Sequence, residues 1–281
     1  MERAYTLGLY EKAMPSDLTW REKLLTAKEA GFDFVEISID ETDAKLSRLD
    51  MTKEERLGLV QLMQETGVPI RTMCLSGHRK YPLGSSDPAV EARGIEIMEK
   101  AIRLAEDLGI RIIQLAGYDV YYEESTFETK KRFLANLKKA ADMAAKAGVT
   151  MGFETMENEF MNTVEKAMKY VTLVGSPYLN VYPDIGNITN AAKTYENDVL
   201  EDLELGKGHI VAMHLKETVP GKFREIPFGT GHVDFESAVT KAWELGVRKY
   251  VTEFWYTGNP EWKEDLTFAN EMFTRILNGR A

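Results

Sequence analysis

The stretch Val149-Thr150-Met151-Gly152-Phe153-Glu154-Thr155-Met156 decides how the chain reads. It runs apolar and β-branched for five residues, then presents a carboxylate, Glu154, where a buried strand should end. Three later segments do the same. Leu179–Ile185 presents Asp184, His209–Glu217 carries His214, and Lys249–Trp255 carries Glu253. The first three of these residues stand at 154, 184 and 214. That step of about 30 residues is the length of one strand-helix-strand unit. Two carboxylates, an imidazole and a third carboxylate thus recur at one level of successive units, the level where a parallel α/β fold keeps its chemistry.

The pattern extends outward in both directions. Strands are expected at Tyr5–Tyr10, Phe34–Asp40, Pro69–Ser76 and Ile110–Ala116 ahead of the opening stretch. Leu179–Ile185, Ile210–Lys216 and Tyr250–Trp255 follow it. Helices lie between them. Ser16 or Asp17 caps the first, and Gly31 stops it. Thr52–Glu65 ends at Gly67, and Asp87-Pro88 places an N-cap before a first-turn proline to open a helix to Leu108. Thr126–Ala147 stops at Gly148, and Thr163–Val174 leads to Gly175. A less regular Asn190–Leu205, then Asp234–Leu245 and Trp262–Leu277, complete the set. Near-continuous apolar strands imply a sheet covered on both faces, hence parallel. Eight such units predict an α/β chain folded as a single (β/α)₈ TIM barrel over residues 1–281. A doubly wound open sheet is the runner-up. It usually has a Gly-rich phosphate turn after the first strand, and Gly8-Leu9-Tyr10-Glu11 is not one.

Composition narrows the function classes. A net charge of −10 argues against a nucleic-acid surface, where a basic stripe is expected. The lone Cys74 rules out an internal disulfide, suits a cytoplasmic location and reads as a small core residue. No apolar run approaches the roughly 18 residues of a membrane span, and the N-terminal residues lack the apolar stretch of a secretion signal.

Taken singly, a strand-end carboxylate is usually a cap or a surface ion-pair partner, and a histidine in an apolar strand usually a hydrogen-bonded core residue. Taken together, Glu154, Asp184, His214 and Glu253 predict a metal centre, because one barrel end cannot gather three buried carboxylates without a cation or protons. Nitrogen and oxygen donors suit Zn²⁺, Mn²⁺, Co²⁺ or Mg²⁺. His78-Arg79-Lys80 follows the third strand and reads as an anion grip, His78 also reaching a sugar oxygen, with Lys80 better read as solvated loop. Lys216 and Arg224 lie at and beyond strand seven, where barrels often bind phosphate. Gly229 and Gly231 either serve such a site or only make the turn before Asp234. Glu36 inside the second strand bonds a ligand or pairs with a cation; Asn187 bonds substrate or sits in a turn; Trp255 and Trp262 can wall a pocket.

Longer stretches resemble a known family. Leu7-Gly8-Leu9-Tyr10-Glu11-Lys12-Ala13, Gly31-Phe32-Asp33-Phe34-Val35-Glu36, Met73-Cys74-Leu75-Ser76, Gln114-Leu115-Ala116-Gly117-Tyr118-Asp119 and Tyr182-Pro183-Asp184-Ile185-Gly186-Asn187 are similar to the L-ribulose-5-phosphate (L-xylulose-5-phosphate) 3-epimerases of L-ascorbate utilisation, which are xylose-isomerase-like barrels. The resemblance implies metal ligation by the same four residues, Zn²⁺ foremost, with Glu154 and Glu253 as the acid-base pair. It also implies a phosphorylated ketopentose as substrate, and a homodimer is expected. Asn187 departs from the wider ketose 3-epimerases, which often place histidine there, and Ala191–Glu196 looks like a small insertion. An aldose–ketose isomerase on the same metal, such as a hexulose-6-phosphate isomerase, is the nearest alternative. An endonuclease would need more than four histidines and a different charge, and a non-catalytic sugar-phosphate sensor would show no turnover.

Overall fold

The computed structural model describes residues 3–280. Its strands are β1 (Thr6–Tyr10), β2 (Phe34–Ile39), β3 (Ile70–Leu75), β4 (Ile112–Ala116), β5 (Thr150–Glu154), β6 (Leu179–Val181), β7 (Met213–Leu215) and β8 (Lys249–Thr252). Its helices are α1 (Trp20–Glu29), α2 (Asp43–Leu46), α3 (Lys53–Thr66), α4 (Pro88–Leu108), α5 (Phe127–Ala147), α6 (Val164–Val174), α7 (Ile185–Tyr195), α8 (Val199–Glu204), α9 (Phe235–Glu244) and α10 (Trp262–Asn278). The strands pair in the order β6-β5-β4-β3-β2-β1-β8-β7, all in parallel. Bridges Val181↔Ile210 and Asp184↔His214 join the two ends, so the sheet curls into the expected eight-stranded barrel.

Burial explains the near-continuous apolar strands, since residues on both faces of the sheet are covered. Gly152, the one residue without a side chain in the opening stretch, stands where the wall leaves no room for one. A Cβ there would fall 2.9 Å from both Tyr182 Cβ and Val211 Cγ2.

Local chemistry set several boundaries differently from expectation. Thr19, rather than Ser16 or Asp17, caps α1, in a reciprocal capping box with Glu22. The sixth strand stops at Val181. Pro183 has no N–H to extend a ladder, and Asp184 turns the chain into α7 by accepting from Asn187 N. The helical stretch expected at 190–205 therefore starts earlier and splits in two, broken where Glu196 adopts φ 55°. The seventh strand is shorter than expected because its neighbour β6 leaves it little ladder to pair with.

One buried ion cluster braces the rim. Glu11, just past β1, accepts from Ser38 N at 2.7 Å and Lys23 Nζ at 3.0 Å, has Lys45 Nζ at 3.1 Å, and contacts Arg48. It thereby ties β1, α1, β2 and the α2 region into one unit. The adjoining residues Lys12, Asp40, Glu41 and Thr42 line the cavity described next.

Candidate active site

A cavity of about 130 Å³ opens at the C-terminal end of the strands. β5, β7 and β8 bring polar residues to this end of the barrel because their apolar runs stop at its mouth. Glu154 is the last residue of β5, His214 the middle of β7, and Glu253 the first residue past β8. Asp184 arrives as the N-cap of α7. One ligand atom from each of these four lies within 4.8 Å of the others, and all four side chains are buried.

Asp184 Oδ2, His214 Nδ1 and Glu253 Oε2 have no hydrogen-bond partner. Buried polar atoms without hydrogen bonds around one shared centre, with nitrogen and oxygen donors only, fit a divalent cation. The group of Glu, Asp and His can thus hold a metal.

Glu36, from inside β2, does not face the cavity. Its Oε1 lies 2.6 Å from His214 Nε2, and its Oε2 accepts from Tyr182 Oη at 2.9 Å. In the tautomer that donates Nε2–H to Glu36, the Nδ1 lone pair points into the cage, 3.3 Å from Glu253 and 3.5 Å from Glu154. Glu36→Gln is expected to weaken divalent-ion binding about 10- to 100-fold, read by calorimetric titration of the metal-stripped protein. An unchanged affinity would remove the role assigned to Glu36.

The charges are strongly perturbed. Burial, then Glu253, raises the Glu154 pKa. Burial raises that of Asp184 well above the usual carboxylate range, against the pull of Lys216. Burial also opposes ionisation of Glu253, but Lys216 and His214 outweigh it and hold Glu253 well below that range. Desolvation pulls His214 down, yet Glu36 and Glu253 lift it well above the ordinary histidine value. Lys216 Nζ stands 2.7 Å from Asp184 Oδ2, an ion contact whose angles do not make a hydrogen bond, and 3.5 Å from Glu253 Oε2.

Arg79, Asn187, Lys216, Arg224 and Trp255 line the cavity, whereas Trp262 does not. Asn187 donates to Thr155 O at 2.7 Å while its Oδ1 stays open. His78 lies elsewhere: it is buried, and its Nε2 pairs with Gly94 O at 3.0 Å. Burial lowers its pKa to about 4, so the expected sugar contact gives way to a fixed loop anchor. Gly229 and Gly231 make the turn: Gly229 N donates to Glu217, and a Cβ at Gly231 would strike the same carboxylate. Sequence reasoning missed Gln114, whose Nε2 contacts Glu154, and Glu157, which accepts from Tyr118 Oη at 2.8 Å. An amide in an apolar strand and a glutamate three residues past Glu154 were the available signals.

The chain is similar to known proteins along most of its length. Residues 24–272 match the xylose isomerase-like TIM barrel family. The L-ribulose-5-phosphate 3-epimerase UlaE of Salmonella paratyphi C is 50% identical over 256 residues, covering 91% of this chain and 89% of that protein. An Escherichia coli protein of the same name is equally similar. Two solved structures share the fold. A D-allulose 3-epimerase from Methylomonas sp. has TM-score 0.79 and 20% identity, covering 97% of this chain and 98% of that one. An L-ribulose 3-epimerase has TM-score 0.78 and 21% identity, covering 98% and 95%. The chain belongs to the xylose isomerase-like TIM barrel family and, within it, to the L-ribulose-5-phosphate 3-epimerases, which makes it an enzyme of the carbohydrate epimerase class.

Proposed function

We propose that this enzyme inverts C3 of a ketopentose 5-phosphate, converting L-xylulose 5-phosphate to L-ribulose 5-phosphate and back. The observation that carries the reading is the convergence of Glu154, Asp184, His214 and Glu253 on one buried centre. The 50% identity to proteins named for this epimerisation supports the choice of substrate. The proposed ligands are those four residues and the proposed ion is Zn²⁺, with Mn²⁺, Co²⁺ or Mg²⁺ as substitutes. When bound, such an ion supplies Lewis-acid polarisation of the ketone and offsets developing negative charge.

The protein's own residues move the proton. One carboxylate of the Glu154–Glu253 pair takes the C3 hydrogen, and the bonding pair passes toward the C2 oxygen. The other carboxylic acid returns a proton to the opposite face of C3, and the electron pair moves back. Either glutamate serves as base, since epimerisation runs both ways. β6 and β7 separate β5 from β8 around the barrel, which lets the two approach from different sides. Arg79 and Arg224 supply the phosphate grip, Asn187 and Lys216 fix the sugar, and Glu36 acts through His214. Positioning of this kind holds the reacting carbon in register. A single-domain homodimer acting in cytoplasmic L-ascorbate catabolism completes the reading; among the described residues no helix is long and apolar enough to cross a membrane.

NMR in deuterated water tests the reaction class. Deuterium should enter at C3, stop after EDTA treatment, and resume on restoring Zn²⁺. Label or hydrogen transfer confined to C1 and C2 would instead mean an aldose–ketose isomerase.

A further inference from the structure

Four cationic side chains line the cavity: Lys12, Arg79, Lys216 and Arg224. Two are committed. Lys12 Nζ sits 2.5 Å from Asp40, and Lys216 Nζ 2.7 Å from Asp184. The two arginines are not. Each leans on the same atom, Glu157 Oε1, from 3.9 Å (Arg79) and 3.8 Å (Arg224), too far for a direct hydrogen bond. Arg79 Nε is buried without a partner, and its Nη2 reaches only Tyr118 Oη at 3.4 Å. Arg224 makes no side-chain hydrogen bond among the described residues; its guanidinium lies 5.5 Å from the Trp255 ring. Each guanidinium carries five N–H donors, so the pair faces one carboxylate with most of its donor capacity unspent.

Glu157 itself is held from behind. Tyr118 Oη donates to it at 2.8 Å and Tyr121 Oη at 3.4 Å. The same two tyrosine rings carry the Arg79 guanidinium, 5.8 Å and 4.9 Å from their centroids. The three charged groups arrive on separate loops, after β3, β5 and β7, and meet in the cavity that contains Glu154 and Glu253.

We propose that Glu157 is a resident counter-ion, which keeps Arg79 and Arg224 apart and aimed until a phosphate dianion takes over both guanidinium groups. This rests on the ketose-phosphate reading above and adds a specificity device to it. With a carboxylate in place, a neutral sugar gains nothing by entering between the arginines. A dianion with three acceptor oxygens offers bidentate bonds to both. The standing negative charge of Glu157 also opposes that dianion, so phosphate affinity is set below what two free arginines would give.

Inorganic phosphate is the probe, titrated calorimetrically into the metal-loaded enzyme and its variants. Glu157→Gln keeps the side-chain shape and removes the charge, so phosphate should bind roughly fivefold or more tightly, as expected when a like charge near the subsite is removed. Arg79→Gln and Arg224→Gln should each weaken it at least about tenfold, as loss of a charge-assisted pair does. KM for the phosphorylated ketose should follow the same order. Unaltered or weaker phosphate binding in Glu157→Gln would overturn the counter-ion role, as would indifference of both arginine variants. Matching melting temperatures confirm that each variant is folded. Phosphate binding that follows this order in an enzyme that turns over no ketose phosphate would sink the proposed reaction and leave the subsite standing. The reverse result would sink only the subsite.

Discussion

Glu253→Gln should lower kcat for epimerisation by about 10²–10⁴-fold at saturating metal, the usual size of a lost positioned acid-base group. Glu154→Gln should fall in the same range. Glutamine preserves volume and an oxygen donor but cannot accept a proton from carbon. The two variants separate chemistry from assembly by a sharper signature. With one carboxylate intact, a substrate epimer whose C3–H faces it still loses that hydrogen and regains deuterium on the same face. Each variant should therefore wash deuterium into one epimer without inverting it, and the two variants should choose opposite epimers. Because both residues are also proposed ligands, bound metal must be counted in each sample. Undiminished epimerisation by either variant would end the two-carboxylate mechanism, and loss of metal without the one-sided exchange would reduce that glutamate to a ligand.

The barrel was legible because its evidence is local. Val149–Phe153 and its counterparts are short apolar runs ending in a polar residue, and Gly67, Gly109, Gly148 and Gly175 each stop a helix where they stand. Spacing also gathered Glu154, Asp184, His214 and Glu253, since residues at one level of successive units must meet at one barrel end. What spacing cannot reveal is a partner across the barrel. Glu36 is buried against His214 and Tyr182, 178 and 146 residues away in the chain. Nothing near Phe34–Ile39 announces that. His78 misled for the opposite reason. Its neighbours Arg79 and Lys80 mark a rim loop, but the short 3₁₀ turn Gly77–Arg79 sends consecutive side chains in different directions, so Arg79 faces the cavity and His78 faces α4. Asp184 was found as a site residue while its local role was misread. It ends no strand; it starts a helix, and capping by one carboxyl oxygen leaves the other facing the cage, where Lys216 approaches it.

Glu11 gives no sign of its role in the sequence, yet it carries a large expected effect on stability. It is fully buried, and Lys23, Lys45 and Arg48 converge on it. Burial opposes its ionisation most strongly, but Arg48 and the two lysines prevail and bring its pKa to about 2, from 4.5 in a free side chain. The folded-state value lies below the unfolded one, so the stabilisation is complete above about pH 5 and drains away as pH falls toward 2. At 1.36 kcal/mol per pH unit, that gap contributes about 3 kcal/mol near neutrality. Glu11→Gln should therefore cost about 3–5 kcal/mol at pH 6–7, since removing one member of a buried cluster strands the others. The cost should shrink steadily in urea titrations repeated down to pH 2.5, where the wild-type carboxyl is itself taking up its proton. In the wild type this window lies below the titration of Lys45, whose pKa burial lowers to about 8 while Glu11 holds it up. A stability difference that is flat across pH would mean that Glu11 acts by packing alone. A falling one would show that the carboxylate's charge stabilises the β1, α1 and α2 junction, beside which the rim residues Lys12, Asp40 and Thr42 line the cavity.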